Sequence, residues 1–245
     1  MNLYILIIGL CLCLLTTSLF LHSKVSKGGI NSFLLKTFAS LSFIVVCLLL
    51  SSGKVGVDNF ANYTITCLIV SLVCNFIGDM YIELKTIYPF HEKKYNLTSS
   101  ILLIISHIFN ACGIILIANN IIDVFSKQYL LPLIIILACS LILTFVIYFV
   151  FTKALKFDLR IFKFQTILNY FVINFTTIFA VYLAIVVANL PIYILALTFI
   201  LNLVSNILQT FINFAENEKT NKFFIPCYSI YYLSLAFVCV FIFLI

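Results

Sequence analysis

Eight long apolar runs follow one another along this chain, and they constrain its fold more than any other feature. They cover residues 2–21, 33–51, 61–82, 98–118, 129–152, 164–187, 191–212 and 223–245. A membrane-spanning α-helix needs about 20 mostly apolar residues, whereas a membrane strand needs only about 9–11 and alternates in polarity. We therefore predict an all-α integral membrane protein, with residues 1–245 forming a single transmembrane domain that is a bundle of eight helices.

The scarcity of charged residues supports this fold class. The chain is 64% hydrophobic and only 9% charged, whereas soluble domains are about a quarter charged. So few charged side chains cannot cover the surface of a soluble fold of this size, and the remaining apolar area must face lipid. This excludes a soluble enzyme, a nucleic-acid-binding module and a disordered protein, so we expect no nucleic-acid partner.

Basic residues are distributed unevenly between the loops. Eleven of the fourteen Lys and Arg residues fall in the odd-numbered loops and two in the even-numbered loops, while Lys36 lies just inside the second run on the odd-loop side. Cytoplasmic loops of membrane proteins carry the excess of positive charge. We therefore predict a multi-pass protein with both termini outside (N-out/C-out) and with loop 153–163 in the cytoplasm.

The first run resembles a signal peptide in its position, but its flanks argue against one. No basic residue precedes the run, and His22-Ser23-Lys24 is a poor cleavage site. We interpret this run as the first membrane helix.

No motif for a metal or cofactor is visible. The nine cysteines lie almost entirely within the apolar runs, where a thiol behaves as a small hydrophobic group. Their spacing does not resemble a zinc or iron–sulfur site, and the sequence contains no dinucleotide-binding loop or P-loop. We expect neither a metal nor a cofactor.

Polar side chains recur at helical spacing inside two of the runs. One set is Ser71, Asn75, Asp79 and Glu83, and the other is Asn202, Asn206, Gln209 and Asn213. Residues at this spacing share one face of a helix, and polar side chains in lipid tend to face the interior of a bundle. Hydrogen bonds between helices explain the neutral residues equally well when each is taken singly.

The depths of the polar residues agree between helices. At 1.5 Å per residue, the cytoplasmic third of the helices contains Lys36, Asp79, Asn206 and Tyr231, and His107 lies about 14 Å in. Because four helices place such groups at one level, we predict a polar pocket that opens toward the cytoplasmic leaflet.

Several short motifs resemble those of the YhhN-type lysoplasmalogenase family. They are Phe76-Ile77-Gly78-Asp79, Ser106-His107, Leu203-Val204-Ser205-Asn206, the pair Tyr231-Tyr232, and a basic residue, Lys36, early in the second helix. The eight-helix arrangement is similar over essentially the whole chain. The resemblance implies a divergent member of this family that acts on a membrane lipid or lysophospholipid.

The reaction implied by the resemblance is hydrolysis of the vinyl-ether bond of lysoplasmalogens to a fatty aldehyde and a glycerophospho-base. Such a reaction needs an acid to protonate the enol-ether carbon, a negative group beside the oxocarbenium-like state, and a positioned water. Asp79 is the central candidate. Lys36 would hold the substrate phosphate as a point charge.

The sequence departs from the family pattern at the implied site. The second Asp of the family is Asn206 here, which can neither carry charge nor act as an acid. Glu83, one helical turn from Asp79, could supply the missing carboxylate, although we expect it to be better solvated; alternatively, His107 could act as the base. Other departures from the pattern are Ser99, Asn110 and Leu235.

These considerations give two sets of candidate residues. The candidate catalytic residues are Asp79, Asn206, His107 and Glu83. The candidate substrate-binding residues are Lys36, Ser205, Tyr231, Tyr232 and Asn75.

Two other functions are compatible with the same pattern. A catalytically impaired relative would bind a lysolipid or another amphiphile in the same pocket. A small transporter would also carry polar residues at depth, usually with an ionisable group near the midplane. Because Asp79 lies toward one membrane face, we favour a lipid hydrolase that acts at the cytoplasmic leaflet.

Overall fold

The computed structural model describes residues 2–26, 29–52, 59–88, 92–122, 127–157, 159, 162–214 and 221–245. Over these residues the fold is entirely helical and contains no strand. The helices are α1 (Asn2–Ser26), α2 (Gly29–Ser52), α3 (Asn59–Ile87), α4 (Glu92–Ile122), α5 (Lys127–Phe149), α6 (Lys163–Val187), α7 (Leu190–Phe214) and α8 (Asn221–Leu244). A short π-helical turn, Val150–Ala154, follows α5 directly.

All eight helices are long and apolar enough to cross a membrane, which confirms the prediction of an eight-helix, all-α chain. The helices α3 and α4 extend several residues beyond the apolar runs 61–82 and 98–118. Polar and charged side chains bound an apolar run, whereas the backbone hydrogen bonds of a helix can continue past them. The predicted loop 153–163 begins inside the π-helical turn, and its residues 158, 160 and 161 lie outside the described residues.

The link between α6 and α7 shows how local sequence sets the helix ends. Ala188 adopts a left-handed conformation (φ 51°) that ends α6, and its N–H donates to the Ala184 carbonyl. The next residue, Asn189, accepts a hydrogen bond from the Ile192 N–H at 3.1 Å through its side-chain oxygen. This is the usual capping geometry at a helix N-terminus. The tight link makes α6 and α7 antiparallel neighbours.

Six helices form a ring, in the order α2, α3, α4, α6, α7 and α8, and α8 then returns to α2. The remaining two pack on the outside of this ring, α1 against α2 and α8, and α5 against α6.

The contact between α1 and α2 is close at Gly9. An added Cβ there would lie 2.6 Å from the Val46 side chain, so glycine allows α1 to approach α2 closely.

The outer surface is strongly apolar, most clearly on α5. Large side chains such as Leu131, Ile142 and Phe149 are more than 60% exposed there. Exposed apolar area of this extent marks a surface that contacts something other than water. The interior of the ring instead contains many buried polar side chains.

Candidate functional site

A buried cluster of charged residues joins α2 to α3. The Lys36 Nζ lies 3.4 Å from Glu83 Oε1 and 3.7 Å from Asp79 Oδ1. Lys36 is 1% exposed, Glu83 3% and Asp79 4%. The four-residue spacing of Asp79 and Glu83 places both carboxylates on the face of α3 that meets α2.

Two residues that the sequence analysis missed complete this charged cluster. Lys24 of α1 binds Glu83 Oε2 at 2.5 Å, and the Tyr228 hydroxyl of α8 donates to Glu83 Oε1 at 3.1 Å. The Lys36 Nζ also lies 4.7 Å from the centre of the Tyr228 ring, within the range of a cation–π contact. Tyr228 precedes the Tyr231-Tyr232 pair by one helical turn, and this spacing is the sequence feature that could have placed it on the same face of α8.

The expectation that Glu83 would be better solvated than Asp79 is wrong. Both side chains are almost completely buried. Glu83 lies nearer the end of α3, but Lys24 from α1 and Tyr228 from α8 cover it. Packing of two other helices over the end of α3 therefore decides its exposure.

The charges of the cluster balance when Asp79 is ionised, because two lysines then face two carboxylates. Burial of an unpaired charge is strongly unfavourable, and a mutually paired set avoids that penalty. Asp79 has two further hydrogen-bonding neighbours, Tyr231 of α8 and Gln209 of α7. Asp79 is thus the member of the charged cluster that contacts α7.

A polar cavity of about 100 Å³ adjoins α7 on the inside of the ring. It lies between the C-terminal halves of α3 and α7 and the N-terminal halves of α4 and α6, at the end of the bundle where the odd-numbered loops are. Its polar lining consists of Asn96, Ser99, Ser100, Gln165, Thr166, Asn169, Tyr170, Asn206, Gln209, Thr210 and Asn213. We call this space the amide cavity.

Three polar atoms in the wall of the amide cavity are buried without a hydrogen-bond partner among the described residues. They are Ser99 Oγ, Gln165 Oε1 and Asn169 Oδ1. Most buried polar groups in proteins are paired, so these three side chains carry hydrogen-bonding capacity that no described residue uses.

The predicted residues Asn206 and His107 lie together beside this cavity. The Asn206 amide donates to the Asn202 carbonyl at 2.9 Å and to Asn202 Oδ1 at 3.0 Å. The Asn206 side chain is also a hydrogen-bonding neighbour of His107. The imidazole is 1% exposed, and its Nε2 finds no partner within the part of the chain that the structure describes.

Two residues one turn apart on α7 thus contact the other candidates: Gln209 is a neighbour of Asp79, and Asn206 is a neighbour of His107. Gln209 contacts Asp79 and also lines the amide cavity. Glu83 and Lys36 instead belong to the charged cluster, where each is engaged by other members.

The other predicted substrate-binding residues serve different contacts. Ser205 donates to the Cys227 carbonyl at 3.3 Å and so joins α7 to α8. The Tyr232 hydroxyl lies 3.3 Å from Ser40 Oγ. Asn75 lines a separate cavity of about 20 Å³ deeper in the bundle. These three residues lie outside the amide-cavity wall.

No protein-family model, curated protein or solved structure matches this chain. Within the described ranges, no three His, Cys, Asp or Glu side chains come together as a candidate metal site.

Proposed function

We propose that this chain is an integral membrane protein that hydrolyses the vinyl-ether bond of a lyso-ether lipid, with Asp79 as its central acid. The observation that carries the proposal is the position of Asp79. Its carboxyl group is buried, contacts the charged cluster through Lys36 and contacts the amide cavity through Gln209. A buried carboxyl group one side chain away from a polar cavity, inside an apolar bundle, has the low solvation that favours proton donation to carbon.

The reaction can be written with these side chains. Protonated Asp79 gives its proton to the vinyl carbon farther from the ether oxygen, which leaves an oxocarbenium ion. Water adds to the carbon bonded to oxygen, and the proton that it loses passes to the Asp79 carboxylate, which restores the acid. The hemiacetal then breaks its C–O bond, and its hydroxyl proton moves to the departing glycerol oxygen, releasing a fatty aldehyde.

Lys36 has a different part in this proposal from the one implied by the resemblance. Its ammonium group is 1% exposed and already faces Asp79 and Glu83, so it is poorly placed to hold a substrate phosphate. We assign it a positioning role: it holds the Asp79 side chain and stabilises the carboxylate left after proton transfer.

One observation favours a second candidate function, binding of a lyso-ether lipid without turnover. Asn206 stands where the resemblance implies a second carboxylate, and its amide is committed to Asn202. If the reaction requires two carboxyl groups, the cavity can still bind a lipid but the chemistry is slow.

Release of aldehyde by the purified protein, from lysoplasmalogen or from the corresponding alkenyl glycerol without phosphate, tests the proposal. We expect wild type to release aldehyde measurably and Asp79→Asn to lower the rate by about 10²–10⁴-fold, the usual contribution of a general acid. Ser140→Ala is the control, because Ser140 is also buried but, among the described residues, its hydroxyl bonds to the Ile136 carbonyl of its own helix. Lipid binding with no release would favour the second function, and an active Asp79→Asn variant would overturn the proposed role of Asp79.

For the membrane arrangement, we propose that all eight helices cross the membrane with both termini outside. The exposed apolar side chains of α5 and the excess of basic residues in the odd-numbered loops support this. In a cysteine-depleted background, Lys163→Cys should react with an impermeant thiol reagent only after the cells are opened. Labelling of intact cells at this exposed position would show the opposite orientation.

A further inference from the structure

The amide cavity differs from the charged cluster in its lack of charged side chains, and this difference limits the kind of ligand that it can bind. Every described residue lining the cavity is uncharged, although the buried Lys36 and the partly buried Lys24 lie on the other side of Asp79. We propose that the amide cavity binds a neutral head group that carries hydroxyls, such as the glycerol of a lyso-ether lipid without phosphate. This inference deepens the proposed function and depends on it for the lipid nature of the ligand.

Two of the three unpartnered atoms on the cavity residues are amide oxygens, which only accept hydrogen bonds and so favour a ligand that donates. Ser99 is 2% exposed, and its Oγ has no partner among the described residues. Gln165 Oε1 and Asn169 Oδ1 are also unpartnered and are four residues apart, on one face of α6. A hydroxyl group can donate to these oxygens, whereas an ionised phosphate only accepts and would face the lone pairs of the two amide oxygens.

The nearby cations are not available for a phosphate. Lys24 binds Glu83 at 2.5 Å, and Lys36 lies within 4 Å of both carboxylates. Recognition of phosphate in proteins depends on Arg, Lys or rows of backbone N–H groups. An anion placed in this cavity would have no charged partner in the described lining to offset its desolvation.

The size and position of the cavity fit this kind of head group. One water needs only about 10–15 Å³ of such space, so about 100 Å³ accommodates a small polyol. Gln209 belongs to the cavity wall and is a neighbour of Asp79. A glycerol held in the cavity therefore brings its ether oxygen toward the proposed acid.

Binding of two alkyl ethers to the intact protein tests the inference. The ligands are hexadecyl glycerol and the phosphocholine form of the same ether, neither of which has a vinyl bond to hydrolyse. The protein is placed in phosphatidylcholine nanodiscs without sugar-headed detergent, since such a detergent is itself a polyol lipid. We expect hexadecyl glycerol to bind at least about tenfold more tightly, with one to two hydrogen bonds as the physical cause. Free glycerol, tested alongside, should bind far more weakly because it has no chain.

Variants of the cavity wall make the test specific. Asn169→Leu should weaken binding of hexadecyl glycerol about fivefold, as expected for one lost hydrogen bond, and leave binding of the phosphocholine ether unchanged. Asn119→Leu is the matched control, because Asn119 Oδ1 is also buried without a partner among the described residues but lies at the other end of α4. Gln165→Lys should reverse the preference by adding a cation to the wall.

The outcomes separate this inference from the proposed hydrolysis. Equal or tighter binding of the phosphocholine ether, or binding of neither ether, would overturn the head-group assignment whatever the protein does to lysoplasmalogen. Preferred binding of hexadecyl glycerol would support it even if no aldehyde is ever released. Tight binding of free glycerol would identify a site for a soluble polyol and would also overturn the lipid assignment.

Discussion

The charged cluster and the amide cavity are neighbours across Asp79, yet they satisfy their polar atoms in opposite ways. In the cluster, Lys24, Lys36, Glu83 and Tyr228 contact one another within 2.5–3.5 Å. In the cavity wall, three buried polar atoms lack any partner among the described residues. A buried charge without a partner is far more unfavourable than a buried neutral oxygen without one, so a stable bundle leaves only neutral groups open to a ligand.

This difference suggests a division of roles within one site. Mutual pairing fixes the charged cluster and thereby the orientation of Asp79. The neutral wall remains open, and its hydrogen-bonding capacity is available for substrate. If this division is correct, substitutions in the cluster should affect stability strongly, and substitutions in the wall should affect ligand binding with little effect on stability.

The largest effect on stability is expected from Lys36→Met. The substitution leaves two buried carboxylates with one fewer cation, and removal of one partner from a buried pair typically costs about 3–5 kcal/mol. The free energy of unfolding of the micelle-solubilised protein measures this loss. Lys153→Met is the control, because Lys153 is exposed and should change stability by less than about 0.5 kcal/mol.

A second variant keeps this test informative if Lys36→Met does not fold. Lys36→Met combined with Asp79→Asn removes one positive and one negative charge together, so part of the lost stability should return. A stability loss below about 1 kcal/mol for Lys36→Met would show that the cluster is not a tightly paired unit.

A smaller effect, on the rate of aldehyde release, is expected at Asn206, where the chain differs from the family that it resembles. Asn206→Asp should raise aldehyde release about tenfold, equivalent to ~1.4 kcal/mol in the barrier. The introduced carboxyl would face the two Asn202 oxygens that now accept from the amide, so it must present a proton to one of them.

The comparison variant is Glu83→Gln, because Glu83 is the other candidate for a second carboxylate. Glu83 is held by Lys24, Lys36 and Tyr228, so we expect the rate per folded molecule to stay within about threefold of wild type, ~0.7 kcal/mol. If Glu83→Gln lost most of its aldehyde release and Asn206→Asp gained none, the second catalytic carboxylate would be Glu83 of the charged cluster.

The smallest effect, on the free energy of unfolding, is expected from Ser99→Ala in the cavity wall. Its hydroxyl has no partner among the described residues, so its removal should change the free energy of unfolding by less than about 0.5 kcal/mol. Ser71→Ala is the matched comparison, since the Ser71 hydroxyl lies 2.8 Å from that of Ser106. Its loss should cost about 0.6–1.7 kcal/mol. Equal losses for the two variants would mean that Ser99 is already paired and that the wall is not open.

Particular residues show how far the sequence predicts the site. The four-residue spacing correctly placed Asp79 and Glu83 on one buried face of α3. The same reasoning did not find Lys24, because a lysine at the end of an apolar run usually lies in the head-group region. It also assigned Ser205 to substrate, whereas the Ser205 hydroxyl bonds to the Cys227 carbonyl across the α7–α8 contact.

The sequence by itself determined the number of helices and their approximate ends, because run length and apolar character are local properties of the chain. It also determined which residues share a helical face, since the α-helix has a fixed period. Only the tertiary structure decided that Glu83 is covered by α1 and α8, that Asp79 lies between the charged cluster and the amide cavity, and that α5 is peripheral. These features depend on the rotation of each helix about its axis and on the identity of its neighbours. Packing between side chains from distant parts of the chain determines the rotation and the neighbours.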